Sequence, residues 1–265
     1  MRKETITSGQ NLKIKQLLLL QEKSKARREQ GLFVVEGRRE LEHCLAAGYT
    51  VRTLFVCPEI AGSLAAEGTP SSAKASVIEI PEQLYRKVAY REGTEGIIAE
   101  VEYKSLKLLD LQLPENPLVM VLERVEKPGN LGAVLRSADA AGADAVLICD
   151  PLTDLYNPNL IRASIGAVFT VPTVACTSEE AIAFLQTKGI QILTAQLQDS
   201  SLYYDVDMRR GTALVMGTEA TGLTDQWRQA ASAHIRIPML GRLDSLNVSV
   251  SAAILLFEAV RQRQG

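Results

Sequence analysis

The chain has 265 residues and a formal net charge of −2, and its hydrophobic content of 46% and charged content of 23% are typical of a globular protein with one large domain or two modest ones. No apolar run is long enough to cross a membrane, and a charge so near neutrality argues mildly against a nucleic-acid partner. Four cysteines without paired spacing and only two histidines predict neither a disulfide framework nor a metal site.

The first 28 residues are basic, with eight Lys or Arg side chains against two Glu, so this segment carries a charge of +6. Such a segment can contact phosphates, but a solvated helix face explains it equally well, and charge does not decide between them. The N-terminus also lacks the apolar core of a secretion signal. Together with the unpaired cysteines, this predicts a cytoplasmic protein.

Strands and helices alternate over the first hundred residues. The predicted strands are Leu32–Val35, Val51–Val56, Val77–Ile80 and Ile97–Val101, and the predicted helices are Arg38–Ala47 and Glu82–Tyr90. We therefore expect a small α/β or α+β domain over residues 1–103. Pro114 and Pro117 disfavour a continuous helix and indicate a linker over residues 104–116.

The alternation is cleaner over residues 117–265. The predicted strands are Leu118–Leu122, Ala145–Cys149, Val171–Val174, Ile190–Ala195, Ala213–Met216 and His234–Ile237. The predicted helices are Leu131–Ala141, Asn159–Val168, Ser178–Lys188, Thr224–Ala231 and Val248–Arg263. Strands that are apolar throughout predict a mostly parallel sheet covered on both faces, and ligands of such sheets bind beyond the carboxyl ends of the strands.

Three polar segments follow predicted strands and are candidates for a ligand site. They are Asn130–Arg136, Gly217–Gly222, and the pair formed by Ile237–Gly241 and Ser245–Ser249. Each has an ordinary structural explanation: Asn130 and Ser245 as helix N-caps, Arg136 as a surface residue, and the glycine segment as a strand-to-helix turn. A fourth segment, with Arg162 and Gly166 four residues apart, is either a packing surface or a substrate-facing one. Neither a G-x-G-x-x-G nor a G-x-x-x-x-G-K-[ST] phosphate loop occurs.

Taken together and in order, the three segments resemble the SpoU (TrmH-like) group of RNA ribose 2′-O-methyltransferases. The matching parts are N-L-G-A-V-L-R-S-A-D, M-G-T-E-A-T-G-L, and I-P-M-L-G with S-L-N-V-S-V, and they span about residues 117–265. The N-terminal region is similar, on the looser motifs Gly31–Gly37 and Thr94–Ala99, to the substrate-binding domain often attached to this group. The resemblance implies an α/β fold with a C-terminal trefoil knot (SPOUT-like), preceded by a small substrate-binding domain, and a homodimer.

The resemblance also implies a site. The polar set of the family falls on Asn130, Arg136, Glu219, Ser245 and Asn247, which are the expected catalytic residues. S-adenosylmethionine is expected at Thr194, Gly217, Ile237 and Leu246, held largely by backbone groups. Gly129 departs from the family pattern, since relatives often carry a larger polar residue before the motif asparagine, and this departure bears on substrate fit.

The function implied is methylation of a ribose 2′-hydroxyl in a structured RNA, with 23S ribosomal RNA favoured. A transfer RNA substrate and a non-catalytic RNA-binding module on the same fold are the alternatives. Family accounts make the arginine matching Arg136 the general base, but a guanidinium has a pKa above about 12 and almost never releases its proton in proteins. The alternative hypothesis is that Arg136 grips the adjacent phosphate and stabilises the developing alkoxide.

Overall fold

The computed structural model describes residues 4–62, 75–90, 95–218, 221–243 and 245–264. Two of the predicted positions, Glu219 of the site and Thr94 of the N-terminal motif, lie outside the described residues. By its packing the chain divides into two compact units. Unit 1 comprises Met1–Lys104 and Asp154–Thr170, and unit 2 comprises Ser105–Thr153 and Val171–Gly265. By chain order alone, Asp154–Thr170 would belong to the domain predicted at 117–265, but it packs with the N-terminal residues.

Unit 1 is built on a five-stranded mixed sheet. Its strands are β1 (Glu4–Thr5), β2 (Leu32–Glu36), β3 (Val51–Val56), β4 (Ser76–Glu79) and β5 (Ile97–Glu102), in the order β1-β4-β3-β5-β2. Strands β1, β4 and β3 are parallel, whereas β5 runs antiparallel to both β3 and β2. The four predicted strands of this region are therefore confirmed, with β1 added at the edge.

The helices of unit 1 are mostly short. They are α1 (Leu12–Glu22), α2 (Ser24–Gln30), α3 (Arg38–Ala46), α4 (Pro58–Ala61), α5 (Glu82–Val88), α7 (Pro158–Ala163) and α8 (Ala167–Thr170). The core forms where Ile14 and Leu17 of α1 meet Phe55, Ile78 and other fully buried strand residues. Burial of this apolar surface, at about 25 cal/mol per Å², is the main favourable term in folding the unit.

An ion pair and close packing hold the segment Asp154–Thr170 against the N-terminal part of unit 1. Asp154 accepts a hydrogen bond of 2.7 Å from Nε of Arg27, whose side chain is only 2% exposed. At Gly166, where φ is +82°, an added Cβ would lie 3.1 Å from Cδ2 of His43. The positive φ of Ile165 and Gly166 also ends α7, so the single helix predicted over Asn159–Val168 is wrong and two short helices replace it. Gly166 is thus a packing residue.

Unit 2 is a seven-stranded, all-parallel sheet, as the apolar strands predicted. Its strands are β6 (Leu118–Glu123), β7 (Ala145–Cys149), β8 (Thr173–Cys176), β9 (Gln191–Ala195), β10 (Ser201–Leu202), β11 (Thr212–Met216) and β12 (Ala233–Arg236), in the order β10-β12-β9-β11-β6-β7-β8. The helices are α6 (Pro128–Ala140), α9 (Ser178–Thr187), α10 (Asp225–Ala230) and α11 (Val248–Gln264). The predicted strand at Val171–Val174 begins two residues later, and β10 was not predicted.

The strand order of unit 2 determines where a ligand can bind. Strands β6, β11, β9 and β12 are neighbours at the centre of the sheet although they are far apart in sequence. Their parallel pairing brings all four carboxyl ends to one edge, and crevices at such edges are the usual ligand sites of α/β sheets. Helices α6 and α11, which carry two of the polar segments, pack against each other. Among the described residues no helix is long and apolar enough to span a membrane.

Candidate active site

A cavity of about 330 Å³ opens at the carboxyl ends of β9, β11 and β12. Four of the predicted site residues, Gly217, Ser245, Leu246 and Ile237, lie in its wall. The rest of the lining is Ala195, Gln196, Leu197, Gln198, Met216, Thr218, Gly222, Leu223, Arg228, Ile235, Arg236, Met239, Val248, Ser251 and Leu255. A largely apolar wall with a few polar groups is typical of a site for a small organic cofactor.

Gly217, Thr218, Gly222 and Leu223 line one side of this cavity, and we name the segment from Gly217 to Leu223 the glycine loop. It closes into a turn in which the Gly222 amide donates to the Thr218 carbonyl at 3.0 Å and the Thr221 amide donates to Oγ1 of Thr218 at 3.0 Å. A Cβ at Gly217 would lie 2.3 Å from the carbonyl carbon and oxygen of Gly222. Only glycine permits this approach, so Gly217 is required by the shape of the turn.

A buried carboxylate outside the three motif segments holds the residue that follows the glycine loop. Glu123, the last residue of β6, is 1% exposed and accepts hydrogen bonds from the amide (2.9 Å) and the hydroxyl (2.6 Å) of Thr224. Thr224 directly follows the loop and precedes α10. The sequence does contain a signal for a role of Glu123, because this residue is the single acid of an otherwise apolar strand and lies at the ligand-binding edge of the sheet.

The same corner holds a second buried network next to Glu123. The Ser178 hydroxyl lies 2.6 Å from Oδ2 of Asp150 and accepts a hydrogen bond of 3.0 Å from the indole nitrogen of Trp227. Trp227 is fully buried on α10. The network therefore ties α10 and the start of α9 to the end of β7, next to the carboxylate that holds Thr224.

A second cavity of about 300 Å³ lies beside the first and shares Gly217, Thr218 and Val248 with it. Its remaining lining is Arg124, Val125, Glu126, Lys127, Asn130, Leu152 and Thr221. This lining is more polar than that of the first cavity and contains two cations and one carboxylate. The two cavities are thus separated by the glycine loop and by the first residue of α11.

Asn130 and Asn247 meet near this common wall. Nδ2 of Asn247 donates to Oδ1 of Asn130 at 3.2 Å, although the two residues are 117 positions apart. Oδ1 of Asn247 accepts from the amide (3.0 Å) and the hydroxyl (2.6 Å) of Ser249. Asn247 is therefore the residue that caps α11, and the interpretation of Ser245 as that cap is wrong. Asn130 is the third residue of α6 and Lys127 is its N-cap, so Asn130 is not a cap either.

Arg136 and Thr194 are placed differently from the other predicted site residues. Arg136 is exposed on α6 and lines neither cavity. Six residues along a helix correspond to about 9 Å of rise, which separates Arg136 from Asn130. Thr194 is fully buried, and its hydroxyl lies 2.6 Å from Nδ1 of His234, while the next residue, Ala195, lines the first cavity. Glu219 belongs to the glycine loop but lies outside the described residues.

None of the four cysteines lines either cavity. Cys44, Cys57 and Cys149 are buried, and burial raises the pKa of the Cys44 thiol to about 12. Sγ of Cys149 lies 3.9 Å from Sγ of Cys176. The hydrogen bond between these thiols raises the pKa of Cys149, and burial adds to this effect. Thiols held protonated in this way are poor nucleophiles. Within the described ranges no group of three or more His, Cys, Asp or Glu residues is placed to hold a metal ion.

The chain matches two protein families. Residues 117–257 match the model of the SpoU rRNA Methylase family, and residues 11–99 match that of the MRM3-like substrate binding domain. The first match covers the whole sheet of unit 2, including both cavities. It therefore agrees with the resemblance that the three ordered motifs indicated.

Several known proteins are similar to this chain over nearly its whole length. The 23S rRNA (uridine(2479)-2′-O)-methyltransferase of Streptomyces viridochromogenes is 30% identical over 97% of this chain and 92% of its own length. The 23S rRNA (guanosine(2553)-2′-O)-methyltransferase of Bacillus subtilis is 28% identical over 95% and 97%. The crystal structure of an AdoMet-bound rRNA methyltransferase from Sinorhizobium meliloti superposes with a TM-score of 0.88 at 31% identity, covering 98% of both chains.

Proposed function

The chain belongs to the SpoU rRNA methylase family, and from that premise we propose that it transfers the methyl group of S-adenosylmethionine to a ribose 2′-hydroxyl of 23S ribosomal RNA. The observation that carries the proposal is the convergence of three distant motif segments on adjoining cavities. Gly217, Ile237 and Leu246 line the first cavity. Asn130 and Asn247 are hydrogen-bonded to each other near the wall that the two cavities share.

The first cavity suits S-adenosylmethionine in its chemistry. The cofactor combines an adenosine, which needs apolar surface and backbone hydrogen bonds, with a charged methionine end. Met216, Leu223, Ile235 and Leu255 supply apolar surface, and Gly217, which has no side chain, also lines the cavity. When bound, the cofactor supplies an activated sulfonium methyl group.

The residues of this chain then have to align the ribose hydroxyl and manage its proton. We assign Asn130 and Asn247 to orientation, because their mutual hydrogen bond and the cap on α11 hold both amides in fixed positions. Ser245, in the wall of the first cavity, orients the cofactor. Alignment in a closed site can contribute on the order of 7–11 kcal/mol to lowering the barrier. Glu219 is proposed to fix the glycine loop.

Arg136 is proposed to grip the phosphate next to the target ribose and to stabilise the developing alkoxide, and one substitution tests this role. Arg136→Lys preserves the charge but removes the planar guanidinium fork. Near-normal activity would argue against any fork-specific role, whereas a large loss of RNA affinity with unchanged cofactor affinity favours the phosphate grip. A loss of turnover alone favours a part in proton transfer.

The N-terminal domain is proposed to bind the RNA substrate. Support comes from the match of residues 11–99 to a substrate-binding domain family and from the basic first 28 residues. Along the sequence, residues 1–103 are proposed to be this domain, 104–116 the linker and 117–265 the methyltransferase domain, although residues 154–170 pack with unit 1. The C-terminal trefoil knot of the family is likewise expected here.

We further propose that the chain is a homodimer through α11. Val250 and Phe257 are each 48% exposed and, seven residues apart, lie on one face of this helix. Leu240 and Leu243, in the loop before the helix, are 97% and 80% exposed. Exposed large apolar groups so close in sequence are typical of an interface. Sedimentation equilibrium of the wild type and of Phe257→Glu tests this, since the substitution should yield a folded monomer.

Two experiments test the proposed function itself. Calorimetric titration with S-adenosylmethionine should show binding to the wild type, and absence of binding would exclude the enzyme. Mapping of 2′-O-methyl groups in 23S rRNA from cells with and without the protein should reveal one site that depends on it. If the 2′-O-methyl groups of 23S rRNA are unchanged and a 2′-O-methyl group is missing from a transfer RNA, the substrate is transfer RNA instead.

A further inference from the structure

The second cavity has no assigned ligand, and its position and charge indicate one. It touches the first cavity through Gly217, Thr218 and Val248, so a molecule in the second cavity lies next to one in the first. Its described wall carries two cations, Arg124 and Lys127, and a single carboxylate. A volume of about 300 Å³ is at the lower end of the range for sites of small organic ligands.

Arg124 has the most unusual backbone in this wall. Its φ is +54°, in the left-handed region that costs a non-glycine residue about 1–2 kcal/mol. The Arg124 amide still donates to the Cys149 carbonyl at 2.9 Å, so the turn comes directly after the last ladder bond of β6. Such backbone strain is concentrated at functional sites. Here it turns the chain over the edge of the sheet at the cavity.

The Arg124 side chain is available to a ligand. It is exposed, and within the part of the chain that the structure describes its guanidinium makes no hydrogen bond or ion pair. Arg136, by contrast, lines neither cavity. A planar guanidinium is the side chain best matched to bidentate binding of a phosphate.

We propose that the second cavity receives the nucleotide to be methylated and that Arg124 binds one of its phosphates. The inference rests on the proposed function, because it places an RNA nucleotide beside the cofactor. Lys127, at the N-terminus of α6, adds a second positive charge where the helix dipole already favours an anion. Asn130, in the same wall, then faces the ribose.

The test measures RNA affinity as a function of salt, and so does not depend on turnover. Arg124→Asn removes the charge while keeping a residue that tolerates a left-handed backbone. Arg124→Lys retains the charge without the fork. Lys188→Asn is the matched control, since it removes one exposed cation from the end of α9, away from both cavities. The dissociation constant for deproteinised 23S rRNA is measured by filter binding from about 50 to about 200 mM KCl, the range over which phosphate contacts weaken strongly.

We expect Arg124→Asn to weaken RNA binding about tenfold or more, as the loss of a charged hydrogen bond implies. The slope of log K against log salt should become shallower by about 0.7–0.9, which corresponds to one phosphate contact. Arg124→Lys should keep the slope and lose part of the affinity, and Lys188→Asn should change neither. S-adenosylmethionine affinity, measured by calorimetry, should be the same in all four proteins.

Two results would overturn the inference. One is an Arg124→Asn protein with wild-type RNA affinity and salt slope, and the other is an equal loss of cofactor affinity, which would mean that Arg124 shapes the first cavity. Failure of the proposed function has a different signature. In that case the wild type binds RNA through Arg124 but transfers no methyl group. The phosphate site would then be supported, and the proposed methyl transfer would be rejected.

Discussion

Replacing Gly217 by alanine tests whether the shape of the glycine loop creates the cofactor cavity. Gly217 lies in the wall of both cavities and directly faces Gly222 across the turn. The added Cβ would meet the carbonyl carbon and oxygen of Gly222 at 2.3 Å and the Leu223 nitrogen at 2.6 Å. These are backbone atoms, so no side-chain rotation can relieve the overlap.

The magnitude follows from the size of that overlap. Ordinary van der Waals contact at these positions begins at 3.4 Å, so the turn has to open by about 1 Å. A displacement of about 1 Å in a site that aligns reacting groups can cost roughly 100-fold in rate, or about 2.7 kcal/mol, and we expect a loss of similar size in cofactor binding. Overpacking strain of about 1–3 kcal/mol should also lower the melting temperature by roughly 2–12 °C.

Calorimetry with S-adenosylmethionine measures the binding loss, and thermal unfolding without ligand measures the strain. Gly129→Ala is the matched control. Gly129 lies in the first turn of α6, lines neither cavity, and has no heavy atom within 4 Å of the position of an added Cβ. Alanine in a helix is favoured over glycine by about 0.5–1 kcal/mol, so this variant should bind normally and melt slightly higher.

The reasoning is refuted if folded Gly217→Ala binds S-adenosylmethionine within threefold of the wild-type affinity. Such a result would mean that the glycine loop can open without altering the cavity. A fall in melting temperature with unchanged cofactor affinity would show that the added Cβ strains the turn, but that this strain does not affect cofactor binding.

Three further substitutions test buried polar groups. Glu123→Gln removes one of the two acceptors that hold Thr224, so we expect a loss of about 1.5–3 kcal/mol in urea denaturation and weaker cofactor binding through the displaced glycine loop. Asp154→Ala leaves Arg27 buried without its carboxylate and should cost about 3–5 kcal/mol of unfolding free energy, measured in the same way. Burial raises the pKa of Glu100, a group that is 6% exposed, so its ionised form opposes folding above that pKa. Glu100→Gln should therefore raise the urea midpoint at pH 8, and the gain should disappear as the pH falls below about 4, where the wild-type carboxyl is protonated in both states.

Each of these predictions has its own control. Thr224→Ser retains both donors to Glu123 and should behave as the wild type; a matching loss in that variant would contradict the assignment. Replacing Arg27 by Met together with Asp154 by Leu should recover most of the stability, because no unpaired charge then remains buried. A gain for Glu100→Gln that is equal at pH 8 and pH 4 would show that shape and not charge is responsible.

Much of the secondary structure could be predicted from local pattern. Strands buried on both faces, such as Leu118–Glu123 and Thr212–Met216, are apolar except for one polar residue at an end, and this signal needs no knowledge of their neighbours. The motif segments after those strands could be located for the same reason. Pattern failed at Asn159–Val168, because the break at Ile165 and Gly166 is imposed by packing and a positive φ.

The site could not be assembled from the sequence, because its parts meet only through the strand order. Glu123 reaches Thr224, and Asn130 reaches Asn247, across more than a hundred residues, since β6 and β11 are neighbours and α6 packs on α11. The steric need for glycine at position 217 likewise arises only once the turn is closed.

The sequence by itself therefore determined the parallel α/β class, the three polar segments and their order, since these depend on periodicity and residue type along the chain. Only the tertiary structure decided that the segments form two adjoining cavities, that Arg124 lines one of them while Arg136 lines neither, and that residues 154–170 pack with unit 1. The physical reason is that local conformation is encoded by near neighbours, whereas cavities are formed by contacts between strands that are distant in sequence.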